Sequence, residues 1–290
     1  MLYRLFDFDF YYCRGNKHHP DFLFLILIRM PPPSHNVIDA PLSLGNFFPA
    51  DSDDDNNEEN GNELVELDNC YEVQRLEIAG STLQIRQYAY HSHNANRVWP
   101  GTFNLADFLL EKDHEGRFLH HWGSVLELGT ATGVLAILLV LKNTDASTEE
   151  NQRLLLTSIV TSDVEDEHGD VQDNVKHNFD LNGLEQPPHV PHTWGTGWKD
   201  AVVKHGVPQI SFDTIVASDI LLYVSAYPAL VLTLEELMPV DTATRFVMSW
   251  NRRMKESVEF FDRMKDAGFH CVHLGKCIYS FTRKDKAFPG

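Results

Sequence analysis

The chain has 290 residues and a formal net charge of −18 at pH 7, and 43% of its residues are hydrophobic. This composition indicates a globular protein, and the acidity argues against nucleic-acid binding, which requires a basic surface. A basic protein partner would be favoured electrostatically. The scattered histidines are interpreted as surface residues, and no structural metal is expected. The absence of C-x-x-C spacing predicts reduced thiols in a cytoplasmic or also nuclear protein, and the cysteines are Cys13, Cys70, Cys271 and Cys277.

The first 70 residues are predicted to form a largely disordered extension rather than a domain. An apolar run at 22–28 is far too short to span a bilayer, so no membrane association is expected. It also makes a poor signal peptide, because acids precede it and prolines follow it at 31–33. Met30 is an alternative physiological start. Residues 51–68 contain nine acids and no base, which indicates a solvated linker that cannot bury a core.

Ordered structure is predicted to begin near Tyr71, with one domain over 71–290. Two segments of alternating polarity, 71–78 and 82–88, flank a glycine turn and predict a β-hairpin. The sequence V-W-P-G-T at 98–102 then opens a helix predicted over 102–111, whose apolar side chains share one broad face. Proline suits the first helical turn, because its missing N–H costs nothing there.

From residue 123 onward, strand and helix patterns alternate, which is typical of a sheet covered by helices. A polar insertion is expected at 143–152. The predicted helices span 133–142, 170–181, 226–238 and 254–267. The predicted strands span 124–128, 154–162, a short stretch near 191–194, 213–218 and 245–250, and a terminal hairpin pairs 269–274 with 277–283.

The most informative stretch reads V-L-E-L-G-T-A-T-G-V-L at 125–135. It predicts a buried strand that ends near Glu127, a tight turn containing Gly129 and Gly133, and a helix packed on the sheet. Dinucleotide sites instead use G-x-G-x-x-G and present bare amides to a pyrophosphate. A carboxylate before G-x-x-x-G suits a ligand with hydroxyls and a cationic amine, such as S-adenosylmethionine.

Further candidate residues follow the later strands. Asp163 can accept the hydroxyl protons of a ribose, or it can cap the next helix, and the residue alone does not decide between these roles. Trp194, followed by Gly195, can stack on an adenine or belong to the core. Asn174 and Asn178 are interpreted as the polar outer face of the helix after Asp163. A further acid, Asp219, ends an apolar strand, where a buried carboxylate must be paired or used.

In chain order, these residues resemble the seven-strand lysine methyltransferase group called methyltransferase family 16. Its hallmarks are a W-P-G/A helix start, E-L-G-x-G-x-G, an acid after the second strand, W-G after the third and D-x-x-Y after the fourth. The resemblance covers about residues 71–285. It implies an α/β fold of the Rossmann-like class I methyltransferase type: a seven-stranded sheet with a C-terminal antiparallel hairpin, preceded by a small β-hairpin.

The resemblance also implies S-adenosylmethionine as the cofactor and assigns the site residues. Asp219 and Tyr223 would be catalytic and face the substrate. The residues implied to bind the cofactor are Trp99, Glu127, Gly129, Ala131, Gly133, Asp163, Trp194 and Ser218.

The chain departs from the family pattern at two places. Ala131 replaces the middle glycine, so we expect weaker or slightly shifted cofactor binding. Three residues separate Asp219 from Tyr223, which gives D-x-x-x-Y. In a helical turn both side chains would still face one way, whereas in an extended stretch the tyrosine would change sides.

Three functions are compatible with these residues. The first is a monomeric protein N-methyltransferase acting on lysine, in which Asp219 orients the amine and Tyr223 or Trp99 lines its channel. The second is methylation of another acceptor, such as a small molecule, arginine or histidine, because one scaffold hosts many acceptors. The third is a non-catalytic binding module, for which Ala131 is the main motivation.

Overall fold

The computed structural model describes residues 8–11, 26–29, 71–110, 122–144, 156–208, 211–240, 242–251 and 255–283. The chain divides into two compact units, Met1–Glu66 and Leu67–Gly290. In the first unit, strands β1 (Phe8–Tyr11) and β2 (Ile26–Arg29) pair antiparallel. The acidic run at 51–68 lies outside the described residues, so the predicted disorder of the extension stays a prediction.

The second unit begins with an antiparallel hairpin and continues with helices on both faces of a sheet. The hairpin consists of β3 (Tyr71–Ile78) and β4 (Ser81–Tyr88), close to the predicted bounds. The helices are α1 (Pro100–Leu110), α2 (Val134–Thr144), α3 (Asp170–Leu181), α4 (Trp198–Lys204), α5 (Tyr227–Leu237) and α6 (Val258–Asp266). Helix α4 was not predicted, because its seven residues are too short to show an apolar period.

The sheet has seven strands in the order β7-β6-β5-β8-β9-β11-β10. Strands β5 to β9 run parallel, whereas β11 is antiparallel to both of its neighbours. This arrangement confirms the predicted α/β fold with its C-terminal hairpin. The strands are β5 (Gly123–Leu128), β6 (Leu156–Asp163), β7 (His189–Pro191), β8 (Thr214–Ser218), β9 (Arg245–Ser249), β10 (His270–Gly275) and β11 (Ile278–Thr282).

The hydrophobic core forms two layers, one on each face of the sheet. Val125 of β5 belongs to the layer that includes α1, α2 and α3, and Leu126 belongs to the layer that includes α4, α5 and α6. Such alternation follows from the two-residue period of a strand. In the part of the chain that the structure describes, no helix is both long enough and apolar enough to cross a membrane.

Asparagines of helix α3, together with Asn182 directly after it, hold the β3–β4 hairpin. The Asn178 amide accepts a hydrogen bond from Arg86 N at 2.6 Å and donates to Arg86 O at 3.2 Å, and Asn182 pairs in the same way with the backbone of Gln84. Asn174 Oδ1 accepts from Arg86 Nε at 2.9 Å. The interpretation of Asn174 and Asn178 as an outer face is therefore wrong, because both are fully buried against β4.

Candidate cofactor site

A cavity of about 250 Å³ opens at the carboxyl ends of the parallel strands. This is where open α/β sheets bind their ligands. Most of the predicted site residues line it: Trp99, Gly129, Ala131, Asp163, Trp194, Ser218, Asp219 and Tyr223. Glu127 and Gly133 do not, although both belong to the same strand–turn–helix unit.

Asp163, at the end of β6, is fixed by two backbone donors. Its Oδ2 accepts from Ala131 N at 2.7 Å, and its Oδ1 accepts from Val164 N at 2.7 Å. Burial raises the pKa of this carboxyl, and the two N–H donors act in the opposite direction. The side chain thus joins the turn after β5 to the end of β6 and borders the cavity.

The turn after β5 contains an alanine in a conformation that favours glycine. Ala131 has φ +48°, in the left-handed region, where a Cβ atom costs about 1–2 kcal/mol. Its N–H is the one that donates to Asp163, so the strained conformation places this donor. Ala131, which replaces the family's middle glycine, borders the cavity.

Glu127 lies behind this turn and faces the start of α2. Its Oε2 accepts from Thr130 Oγ1 at 2.8 Å and from Ala136 N, in the first turn of α2, at 3.2 Å. Burial raises the pKa of the Glu127 carboxyl to about 8, and these hydrogen bonds oppose that effect. The carboxyl braces the start of the helix, and its role toward a cofactor stays a prediction.

Asp219, directly after β8, is almost completely buried and connects distant segments. Its Oδ2 accepts from Gly101 N at 2.6 Å, and its Oδ1 accepts from Asn251 N at 2.7 Å. Pro100 has no N–H, so Gly101 supplies the first donor of α1. A Cβ atom on Gly101 would lie 2.6 Å from Asp219 Cγ, which explains the need for glycine after the proline.

Two hydrogen bonds join three residues of the cavity wall. Asn94 Nδ2 donates to the Tyr223 hydroxyl, and Trp99 Nε1 donates to Asn94 O at 3.0 Å. Tyr223 is extended and lies outside any helix, because a tight turn from Ile220 O to Leu222 N precedes it. That turn keeps Tyr223 on the cavity wall with Asp219, so the stretch between them is neither the helical turn nor the fully extended segment considered from the sequence.

Two further wall residues are supported from neighbouring elements. The Ser218 hydroxyl is hydrogen-bonded to Thr102 Oγ1 at 2.9 Å. Trp194 is half-buried, packs against the core and borders the cavity, so its stacking on an adenine stays a prediction.

Sequence reasoning missed Asn94 and His192, which also line the cavity. The interpretation of the histidines as surface residues is wrong for His189 and His192, which are 7% and 6% exposed. Burial lowers the pKa of His189 to about 4, so this ring is neutral at physiological pH. The one signal in the sequence that could have placed His192 at the cavity was its position two residues before Trp194.

Comparisons with known proteins agree with this arrangement. A family model described as lysine methyltransferase matches residues 77–267, about two thirds of the chain. This match confirms the resemblance drawn from the ordered motifs, and with it the implied cofactor, S-adenosylmethionine.

One curated relative is the protein-lysine N-methyltransferase EFM3 of Chaetomium thermophilum, which is 28% identical over 173 residues. The alignment covers 57% of this chain and 45% of the relative, so the chain spans about half the length of that protein.

Among solved structures, the Thermus thermophilus 16S rRNA N2 G1207 methyltransferase has a TM-score of 0.43 and 15% identity, covering 73% of this chain and 50% of the other. A ribosomal protein L11 methylase from Lactobacillus delbrueckii has a TM-score of 0.35 and 20% identity, covering 56% and 69%.

Proposed function

Because the chain belongs to the lysine methyltransferase family, we propose that it transfers a methyl group from S-adenosylmethionine to the side-chain amine of a protein lysine. The family match over residues 77–267 carries this proposal, since it encloses the whole cavity wall from His93 to Ala229. A lysine acceptor further requires a mouth that admits an unbranched chain and a wall that excludes water.

The side chains around the cavity suit the proposed cofactor. Asp163 offers a carboxylate for ribose hydroxyls, and Trp194 offers an aromatic face for the adenine. Backbone of the turn containing Gly129 and Ala131 comes to the cavity surface, where it can contact the remainder of the molecule. When bound, S-adenosylmethionine supplies a methyl group on an electrophilic sulfonium, so the protein needs mainly to align the amine and exclude water.

The acceptor half of the cavity would be formed by residues near its mouth. Trp99 and Tyr223 would flank the lysine side chain, and Asn94 fixes the positions of both through its hydrogen bonds. A lysine amine must lose its proton before it attacks, and a water-poor cavity lowers its pKa. Asp219, which also borders the cavity, would orient the amine.

We propose that the substrate is a basic region of a protein. We also propose that the enzyme is monomeric, lies in the cytoplasm and also in the nucleus, and has no nucleic-acid or membrane partner. The net charge of −18 supports the first point, because it favours encounter with positively charged segments. This steering weakens with salt, since charges more than about 8 Å apart are largely screened at physiological ionic strength.

The test is to incubate the full chain with methyl-labelled S-adenosylmethionine and cell lysate proteins, and to identify the labelled amino acids after hydrolysis. Asp163→Ala serves as the matched control for cofactor binding. Labelled methyl-lysine that disappears in the control would support the proposal. Labelled arginine, histidine or small molecules would indicate another acceptor, and cofactor binding without any transfer would indicate a binding module.

A further inference from the structure

The loop that carries Trp194 is held by two side chains of α5. Thr233 and Glu236 lie three residues apart, which places them on the same face of the helix. Together they form hydrogen bonds with backbone groups of residues 195–199.

Thr233 pairs with both backbone polar groups of the residue after Trp194. Its hydroxyl accepts from Gly195 N at 2.8 Å and lies 3.0 Å from Gly195 O, to which it can donate. Gly195 has φ +144°, a backbone conformation that side-chain-bearing residues rarely adopt. The threonine therefore fixes the peptide group that determines where the Trp194 indole lies.

Glu236 fixes the next residues of the loop. Its carboxylate accepts from Gly197 N at 2.9 Å, Trp198 N at 3.2 Å and Lys199 N at 3.2 Å. Burial acts to raise the pKa of Glu236, but these backbone donors outweigh it and the pKa is lowered. The carboxylate thus stays ionised and holds the start of α4 against α5.

Helix α5 also contributes to the cavity itself, since Ala229 lines the wall and Thr233 follows one turn later. Fixing an aromatic side chain in its bound position reduces the entropy lost when a ligand stacks on it. We propose that Thr233 and Glu236 are positioning residues for Trp194 and thereby set the affinity for the adenine portion of the cofactor. The proposal rests on the proposed function, because it takes S-adenosylmethionine as the ligand.

The test measures binding of S-adenosylhomocysteine to the full chain by calorimetry and by tryptophan fluorescence. Thr233→Val keeps the side-chain shape and removes the hydroxyl, so we expect about 3- to 10-fold weaker binding. Thr233→Ser restores the hydroxyl and should restore the affinity. Any fluorescence change on binding that is absent in Trp194→Phe reports Trp194 and should shrink in Thr233→Val.

Thr244→Val is the matched control, because the Thr244 hydroxyl is also buried and donates to Phe212 O at 2.7 Å, away from the cavity. It should lower the melting temperature without changing affinity. If Thr233→Val lowered the melting temperature and left both affinity and fluorescence unchanged, the positioning role would be overturned. Failure of the wild-type chain to bind S-adenosylhomocysteine would instead overturn the proposed function.

Discussion

Asp163 and Asp219 follow buried parallel strands in the same way, yet they connect different parts of the molecule. The Asp163 carboxylate binds the adjacent residue, Val164, and the neighbouring turn at Ala131. Asp219 binds donors that are 118 and 32 residues away in the sequence. An acid at a strand end can therefore form a ligand site, hold distant segments together, or do both, and its bonding partners distinguish these roles.

The largest expected effect is a loss of stability when Asp219 is replaced, which tests whether this acid holds distant segments together. Asp219→Ala leaves the N–H groups of Gly101, which is buried, and of Asn251 without a charged acceptor, so we expect the free energy of unfolding to fall by about 3 kcal/mol. Urea denaturation monitored by tryptophan fluorescence measures the change.

Asp219→Asn is the companion variant, because an amide oxygen replaces only one of the two acceptors and should lose about half as much. Full stability of Asp219→Ala would show that α1 and the segment after β9 do not depend on this carboxylate.

The second prediction addresses ligand binding. Asp163→Ala removes the proposed acceptor for two ribose hydroxyls, so S-adenosylhomocysteine should bind about 100-fold more weakly. Its stability should fall less than that of Asp219→Ala, because Asp163 is half-buried, whereas Asp219 is almost completely buried. Calorimetry gives the affinity of each variant and urea denaturation gives its stability. If Asp163→Ala and Asp219→Ala lost the same affinity and the same stability, the two acids would not differ in role.

Sequence periodicity predicted most strands and helices well, because each depends on local patterns, although β7 lies at 189–191 rather than near 191–194. The residues of the cavity wall were assigned by the resemblance to a family and not by periodicity. The role of Asn178 could not be predicted, since its polarity suggests solvent whereas its partner is the backbone of β4, about 90 residues earlier. The two contacts of Asp219 were hidden for the same reason. A left-handed alanine at 131 gives no signal in composition, and only the resemblance to a glycine motif drew attention to it.

Glu127 is a third carboxyl on the same sheet, and it is compared with Asp163 and Asp219 through the pH dependence of stability. Its pKa is raised to about 8 by burial, from an ordinary value of 4.5, so the folded state binds this proton more tightly than the unfolded state. The stabilising contribution is complete below about pH 4.5 and is lost as pH rises toward 8. Wild-type stability should fall relative to Glu127→Gln by about 2–3 kcal/mol between about pH 5 and pH 7.

Parallel urea denaturation series for the two proteins give this difference. Glutamine retains an oxygen that can accept from Thr130 and Ala136, so the variant should fold normally and lack this part of the pH dependence. A constant difference across the range would mean that Glu127 titrates in the ordinary carboxyl range.

The smallest effect concerns the strained donor to Asp163. Ala131→Gly relieves about 1–2 kcal/mol of left-handed strain but adds roughly 0.4–1 kcal/mol of unfolded-chain entropy, so the net gain in stability should be about 0.5 kcal/mol. Removing the methyl group from the cavity surface should also tighten S-adenosylhomocysteine binding a few-fold, on the scale of one buried methyl group. Ala79→Gly is a matched control, because Ala79 has φ +46° in the β3–β4 turn and does not line the cavity. The two variants should gain similar stability while only Ala131→Gly gains affinity, and equal affinities would show that the alanine does not restrict the site.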